Sequence, residues 1–187
     1  MSSRAAAAAQ TRERILHAAM ELFREDHYDD VTFARVADRA GVSPQTVTLH
    51  FRTKDGLVEA VTQWWAPREE ELREVPNGDA LEAARKVCGR YDELGPATLR
   101  ILAIEGRVAA IQPLLDRGRA SHRAWVERTF GARLGAGRAR LRRIMQLVAI
   151  YDIYTWHVLR RVLSPEDTIL AMADLARGVL ERKGDMR

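Results

Sequence analysis

Residues 37–44 read Ala-Asp-Arg-Ala-Gly-Val-Ser-Pro, and no other stretch limits the fold so strongly. Phe33, Val36, Ala37 and Ala40 recur at three and four residues, which is one apolar face of a helix. Thr32 suits its N-cap. Gly41 breaks the pattern. Ser43 then offers a second N-cap, and Pro44 fits the first helical position, where a missing N–H is no loss. Val47 and Phe51 lie one turn apart and anchor another short helix. Ala37 sits four residues before the break, where a bulky side chain would hold the two helices apart. A tight turn, a small residue at the crossing and an amphipathic second helix make a helix-turn-helix.

The same periodicity extends in both directions. Residues 1–10 read as a flexible tail. A helix is expected from about Thr11, with Ile15, Ala18, Ala19, Leu22 and Phe23 on one face. Thr53 can cap a helix through Leu57, Val58 and Val61 to about Trp65, and Pro67 argues against continuation. Further helices are predicted over 79–93, 96–108, 113–134, 138–163 and 165–182. Ser164 and Asp167 have the spacing of a capping box. No strand alternation and no internal repeat occur. The expected fold is all-α, with a helix-turn-helix domain over 11–55 and a helical regulatory and dimerisation domain over 56–187.

The helix from Pro44 turns hydrogen-bonding side chains outward. Val47 and Phe51 occupy one side, Gln45, Thr48 and Leu49 the other, with Thr46 and His50 on a flank. An α-helix fits the major groove of B-DNA and its outward side chains meet base edges there. Gln45 can pair with adenine, Thr48 with a base or phosphate, and Leu49 with a thymine methyl. Thr32, Ser43, Thr46 and the helix N-termini around Pro44 suit phosphate oxygens. Lys54 adds a cation at the start of the next helix. Each residue alone has a plainer reading, as a cap, a solvated position or a packing histidine. The joint geometry carries the nucleic-acid reading.

Residues 11–61, TRERILHAAMELFREDHYDDVTFARVADRAGVSPQTVTLHFRTKDGLVEAV, resemble the DNA-binding domain of the tetracycline-repressor (TetR) family. The resemblance rests on Leu22-Phe23, Tyr28, Thr32, Val36-Ala37, Ala40-Gly41-Val42-Ser43, Thr46-Val47, His50-Phe51, and Thr53-Lys54 with Leu57. Two positions depart from the family pattern. His27 stands where glycine is usual, and Thr48 where a tyrosine commonly contacts the DNA backbone. The resemblance implies a dimeric transcriptional regulator, commonly a repressor, that binds double-stranded operator DNA and responds to a small effector held in a helical C-terminal domain.

Beyond residue 61 the pattern is the chain's own. Ile144, Leu147, Val148, Tyr151, Val158 and Val162 form one face, with Ile150, Ile153 and His157 on another. Ile169, Met172, Ala173, Ala176, Val179 and Leu180 follow helical spacing, and Leu170 and Leu175 widen their stripe. A helix apolar on more than one face is deeply buried or shared with a partner. A two-fold dimer is expected through these helices, with Ile150, Ile153, Ile169, Met172, Ala173, Ala176, Val179 and Leu180 at its interface. Trp64, Trp125, Tyr151, Asp152, Tyr154, Trp156 and His157 are the candidates for an effector pocket, whose ligand is expected to be apolar or aromatic.

Composition agrees without deciding. The formal net charge of +4 and pI near 9.6 are compatible with a nucleic-acid partner. The single cysteine, Cys88, forms no internal disulfide and suits the cytoplasm. The start MSSRAAAAAQ lacks the leucine-rich core of a signal peptide. The apolar run 144–159 is too short and polar to cross a bilayer. No HExxH, GxSxG, P-loop or Cys/His metal spacing occurs, so no enzyme, metal or cofactor is expected. A helical protein-interaction module without specific DNA binding, or an enzyme, are the alternative readings.

Overall fold

A computed structural model describes residues 2–182. Met1 of the expected tail and residues 183–187 of the expected regulatory segment lie outside the described residues. Among those described there are nine α-helices and no strand: α1 (Ser2–Glu25), α2 (Phe33–Ala40), α3 (Pro44–Phe51), α4 (Lys54–Leu72), α5 (Ala80–Leu102), α6 (Gln112–Phe130), α7 (Gly137–Ile150), α8 (Ile153–Arg160) and α9 (Pro165–Leu180).

The chain forms two compact units, one of Met1–Pro67 with Pro96–Leu115, the other of Arg68–Gly95 with Asp116–Arg187. The expected boundary at 55/56 therefore falls inside α4, and the first unit gains residues 96–115. Its core joins Ile15, Leu16, Ala19 and Leu22 of α1 to Val36 and Ala37 of α2, Val47 and Phe51 of α3, and Leu57 and Val61 of α4. A second cluster sets Tyr28 and Val58 against Ile111 and Leu115, so the 96–115 segment is part of the same body.

Local chemistry accounts for the element ends. Gly41 adopts φ 64°, ψ 43°, and the Gly41 and Val42 N–H groups bond back to Asp38 and Ala37 at 3.2 and 3.0 Å. That is the paired pattern by which a left-handed residue closes a helix. Ser43 Oγ accepts from the Thr46 N–H at 3.2 Å, and Thr53 Oγ1 from the Gly56 N–H at 3.0 Å. Ser164 Oγ accepts from the Asp167 N–H at 3.1 Å, the serine half of the expected box, and donates to the Asp167 carboxylate at 2.6 Å.

Three expectations fail for physical reasons. The supposed tail is helical from Ser2, because a run of alanines is the best helix former. α4 passes through Pro67 and α5 through Pro96, both on exposed faces where water can serve the carbonyl each proline leaves without a partner. At the departure from the family's usual glycine, His27 is extended at φ −71°, ψ 149°, which any residue adopts without strain. The expected helix over 138–163 breaks at Tyr151 and Asp152. Asp152 turns extended and caps α8, accepting from the Tyr154 N–H at 2.9 Å.

Candidate nucleic-acid interface

α3 is held from behind. Val47 is fully buried and Phe51 nearly so, while Arg12 of α1 lays its guanidinium 5.4 Å from the Phe51 ring centre. The opposite side is open. Gln45 and Thr48 are exposed, and Leu49 is 81% exposed. Thr46 and His50 are half-buried flanks. The structure thus brings these five into one surface, as their spacing predicts. Thr48 Oγ1 donates to the Pro44 carbonyl at 3.1 Å, which fixes its rotamer and leaves its lone pairs outward. Ser43 and Thr32 cap α3 and α2, and both remain exposed at the helix N-termini.

The turn after α3 is strained. Arg52 has φ 59°, ψ −51°, and the Thr53 N–H reaches the Phe51 carbonyl at 2.6 Å across it. This is the γ-turn of positive φ, rare for a residue with a side chain. Gly56 allows it: a Cβ there would lie 2.5 Å from the Phe51 carbonyl oxygen. The exposed Arg52 makes no ion pair or hydrogen bond among the described residues, and so adds a cation at the rim that sequence reasoning passed over. Arg35 and Arg39 of α2 are committed, to Asp26 at 2.8 Å and Glu25 at 2.9 Å.

Residues 15–61 match the family described as "Bacterial regulatory proteins, tetR family". Over that segment, about a quarter of the chain, the sequence is similar to the family. It is 36% identical over 69 residues to an uncharacterized HTH-type transcriptional regulator, YvkB, of Bacillus subtilis, a match over 37% of this chain and 36% of that protein. It is 31% identical over 88 residues to the HTH-type transcriptional regulator BetI of Escherichia coli, covering 44% of this chain and 45% of that one. The chain therefore spans less than half the length of the curated relatives it matches. In fold it is similar to a TetR-family regulator from Streptomyces coelicolor, with TM-score 0.69, 20% identity, and 95% and 91% of the two chains covered. Among the described residues, no group of three His, Cys, Asp or Glu side chains could hold a metal ion, and no helix is long and apolar enough to cross a membrane.

Lys54 departs from the TetR-based expectation. Its Nζ donates to the Tyr28 carbonyl and lies 4.1 Å from the Tyr28 ring centre. Burial pulls its pKa down, against the opposing pull of Asp29, Asp30 and Asp55. The Tyr28 hydroxyl donates to Asp55 at 3.1 Å, and burial, then that bond, pushes it up to about 12. Lys54 thus ties the start of α4 to the loop after α1.

Two further expectations, both for the segment 56–187, are rearranged. Met172, Ala173 and Ala176 are fully buried within the chain, and Ile153 and Val179 nearly so. These expected interface residues are core, because α9 packs its stripe onto α7 and α8 and Met172 Sδ meets Cys88 Sγ at 3.5 Å. Ile150, Ile169 and Leu180 are half-buried. The apolar side chains left outward include Leu141, Met145, Val158, Val162, Leu170 and Leu175. An open groove between α7 and α9 is lined by Ala149, Ile150, Ala171, Leu175, Gly178 and Val179, among others.

The expected pocket residues converge only in part. Trp64 lies in the first unit, edge-on to His17 at 4.5 Å. Tyr154 is exposed, Asp152 is a cap, and His157 is half-buried. Trp125, Tyr151 and Trp156 do share the core of the second unit. Tyr151 stacks on Phe130 at 5.5 Å and meets Trp125 edge-on at 5.4 Å. Tyr151 donates to the Ala80 carbonyl at 3.0 Å and Trp125 Nε1 to the Arg73 carbonyl at 2.7 Å. Arg73, Tyr91 and His122 join this cluster with no local sequence signal to mark them.

Proposed function

We propose that the protein is a dimeric, sequence-specific DNA-binding transcriptional regulator that acts in the cytoplasm as a repressor released from its operator by a small molecule. The observation that carries the reading is Leu49. A large apolar side chain stands 81% exposed at the centre of a polar ridge, on a helix whose other face is locked. No internal contact explains it. Contact with a thymine methyl in the major groove does, with Gln45 and Thr48 reading neighbouring edges. Ser43, Pro44 and Thr32 present helix N-termini to phosphates, Thr46, His50 and Arg52 flank the groove, and Lys54 holds the ridge in place from behind.

A second subunit supplies the twin ridge. The outward residues Leu170 and Leu175, with the α7–α9 groove, support a two-fold contact through the C-terminal helices. Two recognition helices roughly 34 Å apart would match a palindromic operator. Effector binding in the second unit favours a state in which that spacing is lost, and operator then weakens effector binding by the same factor.

Selection of bound duplexes from a random pool, followed by the same selection with Leu49→Ala, tests the reading. A palindromic site is expected, with Leu49→Ala losing about 1–3 kcal/mol of discrimination at one base pair per half-site and keeping its melting temperature. Equal binding of all duplexes by the wild-type chain would refute the specific regulator.

A further inference from the structure

Two buried donors in the second unit have no acceptor. Arg73 Nε and Trp156 Nε1 are both without a hydrogen-bond partner, and Trp156 is only 7% exposed. Among the described residues one further buried side-chain donor, Arg100 Nε in the first unit, is in the same position; a buried N–H without an acceptor calls for an explanation, and a received ligand is one.

Arg73 arrives at the end of α4 and enters an aromatic setting. Its guanidinium lies 4.6 Å from the Trp125 ring centre, and one Nη donates to His122 Nδ1 at 2.9 Å. His122 Nδ1 is then an acceptor, so the ring proton sits on Nε2 and is donated to the Val148 carbonyl at 3.0 Å. Histidine in this state is neutral. Arg73 therefore keeps its full charge, and it makes no ion pair with a carboxylate among the described residues. The acids sharing its neighbourhood have other work: Asp152 caps α8, and Glu69 pairs with Arg90 at 2.7 Å. A guanidinium in a partly dry site without its own carboxylate is costly unless an anion completes it.

Aromatic contacts connect the two orphaned donors. The Tyr91 ring lies 5.7 Å from Trp156 and its hydroxyl donates to the Tyr151 carbonyl at 3.0 Å, while the Tyr151 ring meets Trp125, the ring beneath Arg73, edge-on at 5.4 Å. Gly95 lets Trp156 approach, since a Cβ there would come within 2.6 Å of the indole ring. The result is a guanidinium and an indole N–H set among flat apolar surfaces.

We propose that the effector is a small aromatic carboxylate, its carboxylate received by Arg73 and a second acceptor by Trp156 Nε1. This rests on the effector-responsive reading above. The anion completes the charge of Arg73, and the aromatic body lies against Trp125, Tyr91 and Trp156. His122 positions the guanidinium from the far side.

The test uses benzoate, salicylate, phenylacetate and indole-3-acetate, each against its primary amide, on the full chain. Tryptophan fluorescence and melting temperature report binding. At least one acid is expected to bind below about 1 mM and more tightly than its amide by about 10- to 100-fold. Arg73→Gln should abolish that preference, and Arg73→Lys, which keeps the charge, should keep the fold and retain part of it. Equal binding of acids and amides, or no binding by any acid, overturns the proposal in the wild-type chain, whether or not a variant folds. A crystal structure with only waters on both donors in the presence of the acids does the same. Operator release is measured separately by gel shift. A neutral ligand that releases operator while no acid binds leaves the regulator standing and sinks the anion site. An acid that binds without changing operator affinity leaves the site standing and sinks effector release.

Discussion

Lys54→Met separates two roles for one cation. Sequence resemblance assigns Lys54 to the DNA phosphate, whereas its Nζ donates to the Tyr28 carbonyl and sits over the Tyr28 ring. Methionine keeps most of the stem's packing and removes both polar contacts. A charged hydrogen bond of this kind contributes about 1.5–3 kcal/mol. The ring contact adds about 0.5–1 kcal/mol. Lys54 is half-buried, so water recovers part of this, and a net loss of about 2 kcal/mol is expected. For a chain of this length that lowers the melting temperature by about 4–8 °C. Operator affinity, measured by fluorescence anisotropy across a salt series, should fall while the slope of log K against log salt stays unchanged. A lysine on a phosphate would instead reduce that slope by about 0.9 per subunit. A reduced slope with an unchanged melting temperature would refute the anchor and put Nζ on the DNA.

Three further outcomes are expected. Gly56→Ala should destabilise the first unit by about 1–3 kcal/mol in urea unfolding and weaken operator binding, because the added Cβ meets a backbone oxygen at 2.5 Å that cannot swing away. His122 is held down to about 4 by burial first and by Arg73 second, from 6.5 in the unfolded chain. The folded state therefore binds fewer protons between those values, so the stability from the neutral ring is complete above pH 6.5 and is lost as pH falls toward 4. His122→Gln should flatten the urea midpoint across that window, and an identical slope in both proteins would contradict the assignment. Leu175→Glu should yield a folded monomer in sedimentation, whereas Met172→Ala should unfold the chain more easily by about 2–5 kcal/mol without shifting the monomer–dimer balance, since Leu175 faces outward and Met172 is core.

The sequence by itself determined whatever is decided within a few residues. Gly41 closing α2, Ser43 and Pro44 opening α3, Thr53 starting α4 and Ser164 starting α9 are each bonds across three to five positions, so residue types at fixed spacing suffice to read them. The polar ridge of α3 is legible for the same reason: helical periodicity alone puts Gln45, Thr48 and Leu49 opposite Val47 and Phe51. A proline or an alanine run is read less safely, because a neighbour or solvent can settle its fate, as at Ser2, Pro67 and Pro96. What only the tertiary structure decided are pairings between distant residues: Lys54 with Tyr28, Tyr151 with Ala80, Cys88 with Met172, Arg73 with His122. An apolar stripe says that a face is covered but not by what, so α9 reads equally well as core or as interface until its neighbours are in place. Arg73 carries no local mark at all; its meaning arises where a guanidinium from one helix end enters the aromatic core built by three others.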